Sequence, residues 1–142
     1  MKQISISILM LFSLLITPNL LFAAENEVTP FVMQLTRSGD NYGHRRAFMQ
    51  LDKVLDDIGE NKIKIDVVAY EDGIHALLAN NKKTSQLLTK LANRGVAFKA
   101  CRISMNAWEL NEDDFPLEVE FVPAGAPEMI RLQMQGYKYW RP

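Results

Sequence analysis

Residues 63–70 have the sequence IKIDVVAY, and this stretch decides the fold. Its centre, Val67-Val68-Ala69, is apolar at consecutive positions, which is typical of a strand whose two faces are both buried. A short helix is predicted directly after it, from Gly73 to Leu78. A strand of this kind belongs to a sheet that carries helices on both faces, so helices and strands should alternate on either side of it.

That alternation is present along the chain. Further strands are predicted at residues 31–36, 96–100, 117–122 and 137–140. The intervening helices are predicted at residues 47–58, after a cap at Asn81, at residues 103–108, and from Pro127 to Gly136. The sequence therefore predicts an α/β fold with a mostly parallel sheet of about five strands and helices on both faces. Function is expected in the loops after the strands, at residues 37–44, 70–75, 101–105 and 123–128.

The first 23 residues have the pattern of a secretory signal peptide. Lys2 supplies the positive charge, residues 4–16 are mostly apolar, and the small residues Ala23 and Ala24 suit a signal peptidase. The alternative is an uncleaved membrane anchor, but Pro18 interrupts the apolar run, which is short for a membrane span. We expect a signal peptide at residues 1–23, cleaved after Ala23 or Ala24, and a single domain at residues 24–142. The sequence therefore predicts a periplasmic or secreted protein with no stable membrane anchor after cleavage.

Charge and cysteine content narrow the function further. The 142 residues carry a formal net charge of −1, which gives no indication of binding to nucleic acid or to an acidic membrane surface. A single cysteine cannot form an internal disulfide. In an exported protein it indicates either pairing between molecules or a free reactive thiol.

Cys101 is the first candidate for chemistry. It follows the strand predicted at residues 96–100 and precedes a short helix, where unpaired backbone N–H groups favour a thiolate. Arg102 comes next and adds positive charge. A thiolate there would suit a nucleophile, or a sulfur carrier that becomes a persulfide. The alternative is that Cys101 is a small buried apolar residue.

The loop at residues 38–46 is the second candidate, because Arg45 and its neighbours could hold an anion at a helix start. An ordinary solvated helix start is the alternative. His44 and His75 could each act as a base or a metal ligand, but no ligand spacing supports a metal site. Glu71-Asp72 could act in acid–base chemistry or simply cap the next helix.

Several classes of site are excluded by missing motifs. The chain has no Gly-x-Gly-x-x-Gly and no Walker pattern, which argues against a nucleotide site. It lacks the Cys-x-x-Cys motif of thioredoxin-type enzymes, and it lacks the Gly-x-Ser-x-Gly nucleophile elbow of α/β-hydrolases. We predict no cofactor and no bound metal.

The last third of the chain carries a more specific signal. Residues 95–101 have the sequence GVAFKAC, followed by Met105, an acidic segment and Pro116. Residues 122–133 are VPAGAPEMIRLQ, and the chain ends as GYKYWRP. With the strand at residues 63–70 and Glu71-Asp72-Gly73-Ile74 after it, these segments resemble the DsrE/DsrF-like family from about Phe31 onward.

The resemblance implies a three-layer α/β/α sandwich and assembly into trimers or hexamers. Characterised members of the family are sulfur-relay proteins that pass sulfur as a persulfide on a cysteine, and that cysteine matches Cys101. This chain departs from the family in two ways. It has the pattern of an exported protein, whereas the sulfur-relay members work in the cytoplasm. It also has Tyr70-Glu71-Asp72-Gly73 where many members have a His-Gly pair.

Our hypothesis is therefore an exported sulfur carrier or sulfurtransferase-type protein that forms a persulfide on Cys101. Arg102, Arg45 and His75 are predicted to stabilise the thiolate or an anion. Its partners would be other copies of the chain and a small sulfur-containing ligand or a sulfur-relay protein. The alternative is a non-catalytic oligomeric binding module for a small molecule or partner, in which Cys101 only packs.

Overall fold

The computed structural model describes residues 28–39 and 43–142, and the predicted signal peptide lies outside them. The strands and helices alternate as expected from the sequence. The strands are β1 (Thr29–Leu35), β2 (Ile63–Ala69), β3 (Ala97–Cys101), β4 (Val119–Val122) and β5 (Lys138–Trp140). The α-helices are α1 (Gly43–Ile58), α2 (Ser85–Asn93), α3 (Arg102–Ala107) and α4 (Gly125–Met134), with 3₁₀ helices at Glu71–Leu77 and Glu112–Asp114.

The five strands form one sheet in the order β4-β3-β2-β1-β5, and every pairing is parallel. The predicted α/β fold is thereby confirmed, with β2 near the centre of the sheet. The final strand, predicted at residues 137–140, pairs with β1 at one edge of the sheet.

The two faces of the sheet are covered differently. On one face α1 and α2 pack over Met33, Val67 and Phe98 and complete a large apolar core. On the other face α4 packs over Val32 and Val68 with its buried residues, in a second core that is much smaller. The result is a three-layer α/β/α arrangement in which α4 contributes Met129 and Leu132 to the second core, with Tyr70 and Tyr137 packed against it.

The amphipathic pattern of α1 explains how the larger core forms. Ala47, Phe48, Leu51 and Leu55 lie at spacings of three and four, and all four are buried. Burying one Leu or Phe side chain stabilises the fold by roughly 1.5–3 kcal/mol relative to leaving it exposed. Ile58, three residues after Leu55, is 42% exposed because it lies in the last turn.

The start of α2 differs from the prediction. Asn81 does not cap α2, which begins four residues later at Ser85. Instead the Asn81 Oδ1 accepts a hydrogen bond from the Lys83 N–H at 3.1 Å, and its Nδ2 donates to the His75 carbonyl at 2.9 Å. Asn81 therefore closes a turn before the helix, since its side chain is already used by the preceding segment.

Candidate functional site

Cys101 is the last residue of β3, and its sulfur lies beneath the start of α4. The side chain is buried, with 3% of the residue exposed. The N–H of Gly125, the first residue of α4, donates a hydrogen bond to Sγ at 3.2 Å. Gly125 follows β4, which pairs with β3 so that Cys101 and Val122 are in register. The sheet order thus brings together two segments that lie 24 residues apart.

The helix that contacts the sulfur is not the one expected from the sequence. A short helix does follow Cys101, and Cys101 is its N-cap residue, but the cysteine side chain makes no capping hydrogen bond there. The donor belongs to α4 instead. The positive end of the α4 dipole and an N–H donor therefore both face the sulfur, and both stabilise negative charge on it.

Gly125 is required by the close approach of Tyr70. A Cβ atom built on Gly125 would lie 2.6 Å from Cδ1 and 2.8 Å from Cβ of Tyr70, closer than real side-chain contacts. Tyr70 is held in place by a hydrogen bond from Gln34 Nε2 to its hydroxyl. Burial raises the pKa of Tyr70, and the hydrogen bond from Gln34 opposes that rise. The backbone of Gly125 therefore contacts both the Tyr70 side chain and the Cys101 sulfur.

The loop after β2 is tied to the segment after Cys101. Glu71 has a φ of 51°, in the left-handed region that residues other than glycine rarely adopt, and its N–H donates to Ser104 Oγ at 2.8 Å. Gly73 packs so closely on β1 that an added Cβ would lie 2.0 Å from the Leu35 carbonyl oxygen. Glu71 and Asp72 form the first turn of the 3₁₀ helix, whose N-cap is Tyr70.

Arg102 directs its guanidinium to the opposite side from the sulfur's hydrogen-bond donor. Nη1 lies 2.6 Å from Glu112 Oε1, and Cζ lies 5.2 Å from the centre of the Phe121 ring. Within the described residues, Arg102 makes no hydrogen bond to the Cys101 sulfur. Its positive charge is therefore partly neutralised by Glu112.

Arg45 and His75, the other two predicted residues, are brought together at a separate cleft. The cleft has a volume of about 560 Å³ at the carboxyl ends of β1 and β2. Its lining comprises Ser38, Gly39, His44, Arg45, Asp72, His75, Asn80, Asn81, Lys82 and Lys83. Among the residues described, Cys101 does not contribute to this lining. The predicted site residues thus lie in three places at the carboxyl ends of the strands: Cys101 beneath α4, Arg102 beside Glu112, and Arg45 with His75 in the cleft.

Both histidines of the chain line this cleft, and each has one nitrogen fixed by a backbone carbonyl. His44 Nε2 donates to the Arg37 carbonyl at 2.7 Å, and His75 Nδ1 donates to the Asp72 carbonyl at 3.1 Å. Burial lowers the pKa of His44, and the hydrogen bond to Arg37 partly offsets this effect. The His75 ring also packs edge-on against Trp108, with 4.6 Å between ring centres.

A buried ion cluster beside Cys101 was missed from the sequence. Lys99, two residues before Cys101 on the same face of β3, has Nζ 3.2 Å from Asp66 Oδ2 and 3.2 Å from Glu128 Oε1. Burial lowers the pKa of Lys99, but hydrogen bonds and ion pairs with Glu128 and Asp66 outweigh burial, so the pKa is raised. The signal was available: Asp66 and Lys99 are opposite charges inside two runs predicted as buried strands.

The described residues contain no group of three or more His, Cys, Asp or Glu side chains arranged to hold a metal ion. In the same part of the chain, no helix has the length and apolar character needed to cross a bilayer.

Cys101 is a free thiol. The chemistry of the site therefore rests on one sulfur atom with a backbone donor and on the polar cleft nearby.

Comparison with known proteins assigns the family. The sequence model of the DsrE/DsrF-like family matches residues 31–141. The chain belongs to the DsrE/DsrF-like family. This confirms the family resemblance, and family membership supports a sulfur-relay-like fold.

A solved structure agrees with this assignment. A protein of unknown function from Methanobacterium thermoautotrophicum, MTH1491, is similar to this DsrE/DsrF-like chain with a TM-score of 0.69 and 26% sequence identity. The similarity covers 80% of this chain and 99% of that protein. No curated protein matches the chain.

Proposed function

We propose that this DsrE/DsrF-like protein is an exported sulfur carrier whose Cys101 accepts sulfane sulfur and holds it as a persulfide. The observation that carries the proposal is the hydrogen bond from the Gly125 N–H to the Cys101 sulfur at 3.2 Å, at the start of α4. A persulfide, like a thiolate, is an anion at neutral pH and gains from the same donor and helix end. Family membership supplies the second support.

The transfer step balances without an external oxidant. The Cys101 thiolate attacks the outer sulfur of a donor persulfide, R–S–SH. A new S–S bond forms on Cys101, the donor S–S bond breaks, and the donor leaves as the thiol R–SH. Thiosulfate is an alternative donor, from which sulfite leaves. Sulfur then passes to an acceptor thiol by the same step in reverse.

The cationic residues have supporting roles in this proposal. Arg102 and Arg45 provide positive potential at the carboxyl ends of the strands, where anionic donors arrive, and His75 lines the same cleft as Arg45; none of the three donates to the sulfur in the described structure. Arg102 has a weaker effect than Arg45, because Glu112 pairs with it at 2.6 Å. No cofactor, metal or nucleic acid takes part.

The direct test locates the added sulfur. The mature chain is incubated with a persulfide donor, alkylated and digested, and peptide mass spectrometry should find the extra sulfur on the peptide that contains Cys101. Cys101→Ser should carry none. Sulfur recovered on other residues, or a Cys101→Ser protein that still loads sulfur, would rule out this assignment.

A second candidate, a binding module in which Cys101 only packs, is favoured by one observation: the residue is 3% exposed. The two functions differ in how the native thiol reacts. A sulfur carrier must expose Cys101 transiently, so iodoacetamide should alkylate the native protein at a measurable rate. A thiol that reacts only after unfolding would support the packed role.

Export and assembly complete the proposal. The signal peptide at residues 1–23 lies outside the described residues, so its cleavage is tested by fractionating cells that express the full chain and measuring the mass of the periplasmic product. We also propose a homo-oligomer, a trimer or a hexamer. Large apolar side chains support it, because Ile103, Trp108, Ile130 and Met134 are 63%, 47%, 59% and 84% exposed. Light scattering after size exclusion gives the subunit number.

A further inference from the structure

The cleft that contains Arg45 and His75 is a polar site whose described lining does not include Cys101. Its volume of about 560 Å³ is within the range of ligand pockets, and four separate segments of the chain converge on it. Arg45, Lys82 and Lys83 line it, and Asp72 contributes the one carboxylate among the described lining residues. In the described lining, cationic side chains therefore outnumber anionic ones.

Hydrogen-bond acceptors lie among these cations. His75 Nδ1 donates to the Asp72 carbonyl at 3.1 Å, which leaves Nε2 without a partner in the described part of the chain. The Asp72 carboxylate likewise has no ion pair among the described residues. A ligand that pairs with Arg45 and Lys82 and also with these two acceptors is an anion that carries an O–H donor.

We propose that this cleft binds a hydrogen phosphate group, either as inorganic phosphate or as a phosphate monoester. The guanidinium of Arg45 matches the paired oxygens of a phosphate. The phosphate O–H donates to the Asp72 carboxylate or to His75 Nε2. Sulfate has the same shape but no O–H at neutral pH, so it cannot donate this charged hydrogen bond and is repelled by the Asp72 carboxylate.

The site is distinct from Cys101 and goes beyond the proposed sulfur carriage. Cys101 lies beneath α4 and is absent from the described lining of the cleft. Phosphate binding should therefore be the same in the parent protein and in Cys101→Ser. The two proposals can fail independently of each other.

Trp108 provides a reporter for the test. Its ring lies 4.6 Å from that of His75, so a ligand at His75 changes its fluorescence. The other tryptophan, Trp140, lines an apolar pocket with Ile58 instead. Inorganic phosphate is titrated into the mature protein at constant ionic strength, with sulfate as the second ligand. We expect saturable binding of phosphate, with sulfate at least tenfold weaker.

Matched variants locate the binding. Arg45→Gln should weaken phosphate binding by about tenfold or more, as expected for the loss of a charged hydrogen-bond donor. Arg46→Gln removes the same charge from the next residue, which lies outside the described lining of the cleft, and should leave binding within twofold. Asp72→Asn should reduce the preference for phosphate over sulfate. If Arg45→Gln does not fold, as judged by circular dichroism, Lys82→Gln takes its place.

Three results would overturn the proposal. They are no saturable binding of phosphate, equal binding of sulfate and phosphate, or equal losses in Arg45→Gln and Arg46→Gln. A phosphate monoester such as glycerol phosphate is titrated last. Binding tighter than that of inorganic phosphate assigns the cleft to a monoester, and weaker binding assigns it to the free ion.

Discussion

Gly125 is the residue on which the geometry around Cys101 depends. Its N–H donates to the sulfur at 3.2 Å, and Tyr70 packs where a side chain on this residue would otherwise lie. The location of Cys101 at the end of a strand could be predicted from the apolar run before it. Its donor could not, because Gly125 follows another strand, and periodicity does not determine which strands are neighbours.

Gly125→Ala should destabilise the protein by about 1–3 kcal/mol, the usual cost of forcing an extra methyl group into a packed site. The added Cβ would meet Tyr70 Cβ at 2.8 Å, an atom that cannot move without its backbone. Urea unfolding measures the change. Ala126→Gly, at the exposed next residue, is the control and should change stability by less than 1 kcal/mol. Equal stability of Gly125→Ala and the parent would contradict the close packing.

His44 should make stability depend on pH. Burial lowers its pKa in the folded state below the unfolded value of about 6.5, so the unfolded chain binds the proton more readily. Its contribution to stability is therefore present above about pH 6.5 and is lost as the pH falls through the folded-state pKa. Asp72 and His75 are the titratable groups that act on it, with the Arg37 charge.

The test compares urea unfolding of the parent and His44→Asn between pH 7.5 and 5, values chosen to bracket about 6.5. The parent should lose more stability than the variant over this range. Similar losses in both proteins would show that His44 is not the group that titrates.

At the scale of elements, the buried ion cluster joins α4 to β2 and β3. Lys99 lies between Asp66 and Glu128, whose side chains are 4% and 9% exposed. Lys99→Met would remove the cation that the two buried carboxylates share, leaving Asp66 with Lys64 at 4.0 Å and Glu128 with Arg131. We expect a loss of roughly 3–5 kcal/mol at pH 7, the range measured when one partner of a buried pair is removed.

A triple variant controls for packing. Asp66→Asn and Glu128→Gln added to Lys99→Met should restore much of the stability, because no buried carboxylate is then left without Lys99. The raised pKa of Lys99 means that its contribution is present below about pH 10.4 and is lost as the pH rises through the folded-state pKa. A Lys99→Met protein as stable as its parent at pH 7 would contradict the account.

Helices α1 and α2 are joined by a second charge network at the surface. The Asp52 carboxylate accepts a hydrogen bond from Lys90 Nζ at 2.6 Å and also pairs with Arg94. The Lys90 hydrogen bond lowers the pKa of Asp52 most, burial opposes this, and Arg94 lowers it further. Asp52→Asn should cost about 1 kcal/mol at pH 7.

The pH dependence identifies the source of that cost. The Asp52 contribution is present above the unfolded pKa of about 3.9 and is lost as the pH falls through the lower folded-state value. Asp57→Asn removes the same charge one turn away, where the described residues offer no ion-pair partner, and should be nearly neutral. Equal costs for the two variants would assign the effect to net charge.

Sequence patterns predicted most elements because each has its own signal, such as the apolar spacing in α1 or the uninterrupted core of β2. They failed where an element depends on distant contacts. Asn81 has a good capping side chain, but His75 engages it, so α2 begins later. The charges of Asp66 and Lys99 were visible in the sequence, yet only the parallel pairing of β2 with β3 shows that they meet.

For the whole molecule, the decisive feature is that the chain crosses back over the sheet after β4. Strands β1 to β4 are neighbours in the sheet in the same order as in the chain, and α1 and α2 cover one face. Helix α4 then crosses the other face so that β5 can pair with β1. This single crossover places the start of α4 over Cys101 and its first turns over Lys99. Strand order lies beyond sequence periodicity, so this assembly could not be predicted.

The central claim is that the fold makes Cys101 a sulfur acceptor, and intact mass spectrometry during incubation with thiosulfate or a persulfide donor tests it most directly. The native mature chain should gain about 32 Da per sulfur atom. It should do so faster than the urea-unfolded chain, and Cys101→Ser should gain nothing. A native protein that gains no mass, or gains it no faster than the unfolded chain, would contradict the claim.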